Sequence, residues 1–139
     1  MSDERSVTLD QSGGRALQVA QEFCFRANVA IVGAEHLLAG ALLVISESGN
    51  GAVPDRAALE SALMLAQGSG ASGFAEQVMF GSAAREAIND TAGAVRIAGG
   101  STVGARELAL GAIDSGNITP MFYASLNTTR EGLKSAVET

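Results

Sequence analysis

The chain has 139 residues, 47% hydrophobic but only 4% aromatic. That suits one globular domain with an aliphatic, alanine-rich core and excludes a disordered chain. Fifteen acidic residues against nine basic ones give a net charge of −6, with Lys134 as the single lysine, which argues against electrostatic nucleic-acid binding. One cysteine, Cys24, permits no internal disulfide, and the apolar run Leu37 to Ile45 is too short to cross a bilayer.

Residues 1 to about 9 read as a polar, acidic lead without the basic-then-apolar order of a secretory signal, so the expected location is the cytoplasm. Asp10 or Ser12 is placed to cap a first helix over 11–27. Ala16, Leu17, Ala20, Cys24 and Ala27 recur at three- and four-residue spacing and make its apolar stripe. Cys24 on that stripe reads as a buried, inert thiol. Residues 28–33 read as a connection, with Ile31 and Val32 inserted in the core.

A second helix starts near Ala34, with Glu35 in its first turn, where a carboxylate suits the helix dipole. Leu37, Leu38, Ala41, Leu42 and Ile45 form its buried face, and Gly40 admits close helix approach. Pro54 suits the first turn of a third helix that continues through Ala66. The glycine- and serine-rich stretch at 68–75 breaks all periodicity and reads as a linker.

A fourth helix runs from about Ser82 to Gly99, and a fifth from about Gly104 to Asp114. Ile118 to Leu126 forms a short helix or turn, despite Pro120 near its start. Thr128, followed three residues later by Glu131, has the capping-box pattern for a last helix ending near Val137.

The sequence also repeats itself. Val32-Gly33-Ala34-Glu35-His36-Leu37-Leu38-Ala39-Gly40-Ala41-Leu42 returns 71 positions later as Val103-Gly104-Ala105-Arg106-Glu107-Leu108-Ala109-Leu110-Gly111-Ala112-Ile113, with six of eleven pairs identical. The same shift carries Leu9 onto Phe80, Ala16 onto Ala87, Leu17 onto Ile88 and Cys24 onto Val95 without a gap. A constant offset of this kind marks two similar helical units in tandem. The fold expected is all-α, a pseudo-twofold pair of units: about 9–67, linker 68–75, and about 76–137, within a single domain over 1–139.

Chemistry-bearing patterns are sparse. The Gly68–Gly73 stretch lacks the Lys-Ser/Thr of a phosphate-binding loop, and one His with one Cys makes no zinc set. No cofactor, metal or catalytic residue is expected. A small enzyme or ligand-binding protein would instead unite Cys24, His36 and a carboxylate in one closed pocket. Glu35 reads either as an exposed capping charge or as an acceptor for a partner's cationic group. Arg106 and Glu107 fall on the Glu35 and His36 positions of the second unit, so the two units are chemically unequal.

Val32 to Leu42 resembles the Val-Gly-Thr-Glu-His-Leu-Leu stretch of the N-terminal domain of Clp/Hsp100 unfoldases, especially the ClpC type, with Ala34 where Thr is usual. Phe80-Gly81-Ser82-Ala83-Ala84-Arg85-Glu86-Ala87-Ile88 is similar to the Phe/Tyr-Thr start of its second repeat, with Gly81 replacing Thr; Leu9-Asp10 is a poorer version in the first. The resemblance covers about 9–137. It implies a tandem of two four-helix repeats that binds adaptors, substrates or Clp ATPase or protease subunits, without nucleic acid or membrane as partner. It also implies paired phosphoarginine sites. Carried over by residue, the first would use Asp10 and Glu35, the second Gly81 and Arg106, with Phe80 and Glu107 as neighbouring candidates. Both threonines are replaced and Arg106 is basic, so little or no phosphoarginine binding is expected, confined to the first repeat, and cyclic-peptide binding is not supported. The ATP-hydrolysing modules of those unfoldases have no counterpart here. A free-standing protein is favoured over a domain of a larger ATPase.

Overall fold

In a computed structural model the described residues are 7–27, 29–49, 51–67 and 79–138. The linker expected at 68–75 and most of the polar lead lie outside them. Among the described residues there are seven helices: α1 (Gln11–Arg26), α2 (Ala34–Glu47), α3 (Arg56–Gln67), α4 (Ser82–Ile97), α5 (Ala105–Asp114), α6 (Pro120–Ser125) and α7 (Arg130–Glu138). Four two-residue strands accompany them: β1 (Thr8–Leu9), β2 (Ile31–Val32), β3 (Met79–Phe80) and β4 (Thr102–Val103).

The mostly helical expectation holds, but a purely α fold of two four-helix units overstates it. Two small parallel sheets are present, β1 with β4 and β2 with β3. Three helices, not four, are described before the linker. Strands of two residues leave no alternating apolar pattern to read. Their pairing follows the repeat: Thr8 faces Thr102 and Leu9 faces Val103, while Met79 faces Ile31 and Phe80 faces Val32. Adding 71 to the first-half residue of each pair and subtracting 71 from its second-half partner turns one register into the other. Each sheet therefore joins the start of one half to the motif of the other.

α2 and α5 pack against each other at the centre. α2 is buried almost all round, from Ala34 to Val44, which is why its sequence is apolar on every face. Its Leu37, Leu38 and Leu42 join Leu108 and Ile113 of α5, Leu59 of α3 and Phe122 of α6 in the main core. α1 lies against α2, and α4 against α5. Gly40 sits over the Ala16 carbonyl and the Ala20 amide of α1; Gly111 sits over Thr91 and the Ala87 carbonyl of α4. These are the same contacts shifted by 71, so the helix packing has the character of a pseudo-repeat. A Cβ at either glycine would collide with its neighbour, which explains why the motif keeps glycine there.

Three local expectations are corrected. Pro54 precedes α3 instead of opening it, because Asp55 takes the cap, its side chain accepting from the Ala58 amide at 3.0 Å. Thr129, not Thr128, caps α7, accepting from Gly132 N–H at 3.0 Å. Asn127, in the left-handed region at φ 56°, turns the chain between α6 and α7. Val32 is fully buried, but Ile31 is 58% exposed, because adjacent strand residues face opposite sides.

Candidate functional site

The two motif helices start alike. Gly33 and Gly104 are the N-cap residues, and the residue three further on accepts their amide proton: His36 Nδ1 at 3.1 Å, Glu107 Oε1 at 2.7 Å. Glycine has no side chain to reciprocate, so each start forms half of a capping box. Burial holds the His36 imidazole below its usual pKa, opposed by the neighbouring Glu35 charge. A neutral ring with a free Nδ1 lone pair is the form this bond requires.

Asp10 caps α1, accepting from Gly13 N–H at 2.8 Å and from the Ser12 hydroxyl at 2.7 Å. The Gly13 amide, then the Ser12 hydroxyl, hold its carboxyl below the usual range. Ser12 Oγ in turn accepts from Ala105 N–H at 3.0 Å, at the start of α5. A Cβ on Gly104 would lie 2.9 Å from Asp10 Oδ2 and 3.0 Å from Glu107 Oε1. Two helix N-termini thus meet here, and the chain's own carboxylates occupy them, as the dipoles favour.

The residues are grouped differently from the residue-by-residue expectation. Asp10 meets Gly104 and Glu107 of the second motif, because β1 pairs with β4. Gly81 meets the first motif, donating to the Val32 carbonyl at 2.9 Å. Glu35 is 1% exposed, not the surface charge expected. Its Oε2 accepts from the Thr119 amide at 2.9 Å and hydroxyl at 2.6 Å, bracing the start of α6. Arg106 donates to the Glu138 carbonyl at 2.6 Å, at the C-terminal end of α7, where a cation suits the dipole. Phe80 packs half-buried on Ala20, Cys24, Val32 and Ala84. Sequence reasoning missed the Ser12 and Thr119 contacts; their partners lie 93 and 84 positions away, and no local spacing signals them.

A cleft of about 100 Å³ is lined by Phe23, Arg26, His36, Glu60, Leu63 and Met64. Cys24 is not among its lining residues; its Sγ faces the Ile31 carbonyl at 3.8 Å, and burial pushes its thiol up to about 12. Such a thiol carries almost no thiolate at neutral pH. The closed pocket of Cys24, His36 and a carboxylate that would favour the enzyme or ligand-binding reading is not formed by this cleft. Among the described residues no three His, Cys, Asp or Glu side chains come together as a metal set, and no helix is long and apolar enough to cross a membrane.

No known protein-family profile and no curated protein matches the sequence. Among solved structures, the chain is similar to the N-terminal domain of ClpD, a caseinolytic-protease-associated chaperone from Arabidopsis thaliana. The TM-score is 0.74 at 13% identity, over 94% of each chain. The superposition over 94% of each chain gives this chain the fold of a Clp N-terminal domain.

Proposed function

We propose that this chain is a non-catalytic protein-binding module of a Clp-type chaperone–protease system. It docks adaptor or substrate proteins or Clp ATPase or protease subunits, in the cytoplasm. The observation that carries this reading is the fold likeness over 94% of both chains. In this reading residues 1–139 form a single domain, with repeats over about 9–67 and 76–137 joined by 68–75. The protein-binding surface draws on Asp10, Phe80, Arg106 and Glu107 near the crossed helix starts, while the buried Glu35 supports the fold beneath it. Affinity capture from native lysate, read by mass spectrometry, tests the proposal. Reproducible recovery of Clp subunits or adaptors is expected; their absence alongside a metabolic enzyme complex would overturn it.

A further inference from the structure

Under the 71-residue shift, the face between α4 and α5 corresponds to the face between α1 and α2, and the two are finished differently. In the first half Val19, Phe23 and Leu43 are 0%, 4% and 3% exposed. α3 lies over this face: the Arg56 guanidinium stands 5.7 Å above the Phe23 ring, and Leu63 lines the same cleft as Phe23 and His36. In the second half the counterparts of Val19, Phe23 and Leu43 are Asp90, Ala94 and Asp114, all exposed. α7, the counterpart of α3, meets this face at Asp114 through Arg130 and Lys134, at 3.3 and 3.0 Å. They stand where α3 has Leu59 and Leu63.

The consequence is an open groove of about 240 Å³, with Ala94, Val95 and Leu110 as its apolar lining and Asp90, Glu107 and Asp114 as its carboxylates. We propose that this groove docks a partner protein segment presenting an aromatic side chain beside an arginine or lysine. The proposal deepens the protein-binding reading by naming what the partner must bring. The chain shows the chemistry on its other half, where Phe23 fills the homologous space and Arg56 covers the ring. Ala94 leaves that space empty, and Asp90 and Glu107 supply acceptors for the cation. The net charge of −6 draws a basic segment from a distance.

The test uses the full chain and a fluorescently labelled amphipathic helical peptide carrying one Phe flanked by arginines. Anisotropy should show saturable binding, and amide shift changes should concentrate on α4 and α5. Ala94→Phe, which fills the groove with the chain's own ring, should weaken binding by about tenfold or more, as should Asp90→Lys. Both sites are exposed, so melting should stay near wild type; if Ala94→Phe fails to fold, Asp90→Lys carries the test. Wild-type affinity in a folded variant, shifts confined to the α1–α3 face, or equal binding of a peptide with Phe replaced by Ala would overturn the proposal. The outcome is separable from the Clp reading. Capture of Clp subunits by wild type and Ala94→Phe alike would sink the groove alone. Peptide binding without Clp capture would sink the Clp reading alone.

Discussion

Gly40→Ala and Gly111→Ala make the same chemical change at pseudo-equivalent positions, and the structure assigns them different costs. At Gly40 the new Cβ would meet backbone: the Ala16 carbonyl, and the Ala20 nitrogen at 2.8 Å. Backbone cannot rotate away, so α1 and α2 must separate, and overpacking of this kind costs about 1–3 kcal/mol. Better helix propensity of alanine returns about 0.8–1 kcal/mol. The net loss at Gly40 is therefore about 0–2 kcal/mol, a melting shift of up to roughly 8 °C for a domain of this size. At Gly111 the nearest obstacle is the Thr91 hydroxyl, which bonds the Ala87 carbonyl at 2.7 Å. A side chain can be removed, so Thr91→Ala should rescue Gly111→Ala with a coupling of about 0.5–2 kcal/mol. Thermal and urea unfolding followed by circular dichroism at the four variants measures these terms. A Gly40→Ala protein more stable than wild type by the full alanine propensity of about 0.8–1 kcal/mol, or additivity of Gly111→Ala with Thr91→Ala, would refute the close-approach argument.

Glu35→Ala should cost about 2–3 kcal/mol in urea unfolding, because it strands the Thr119 amide and hydroxyl together, whereas Thr119→Ala should cost about 1 kcal/mol; equal small losses would show that Glu35 is not a brace. His36 has a folded pKa below its unfolded value of 6.5, so as pH falls through 6.5 the unfolded chain takes the proton first and stability drops. Stability should therefore decline from pH 7 toward the lower folded pKa, and His36→Gln should flatten that slope; an unchanged slope would assign the pH dependence elsewhere. Calorimetric titration with phosphoarginine should give weak heat or none, since Glu35 is engaged with Thr119 and carboxylates occupy the Gly104 corner; two comparable saturable sites would contradict this.

Much of this was legible in the residues. The three- and four-residue spacing of Ala16, Ala20 and Cys24 marked α1, and the apolar run after Ala34 marked α2, because helix burial writes its period into the chain. The 71-residue offset announced two related halves and Gly40 a close approach, because both are imposed by packing that recurs at fixed spacing. What the spacing could not carry was partnership across the molecule. The strands are two residues long, too short for a period, and they pair across the halves. That pairing, not chain order, brings Asp10 to Gly104 instead of to Glu35. The burial of Glu35 depended on Thr119, 84 residues away, and no local pattern distinguishes a braced carboxylate from an exposed cap. Sequence alone determined that there are two similar helical halves with unequal chemistry. Tertiary structure decided which half finishes its own groove, because α3 brings leucines to that face where α7 brings Arg130 and Lys134.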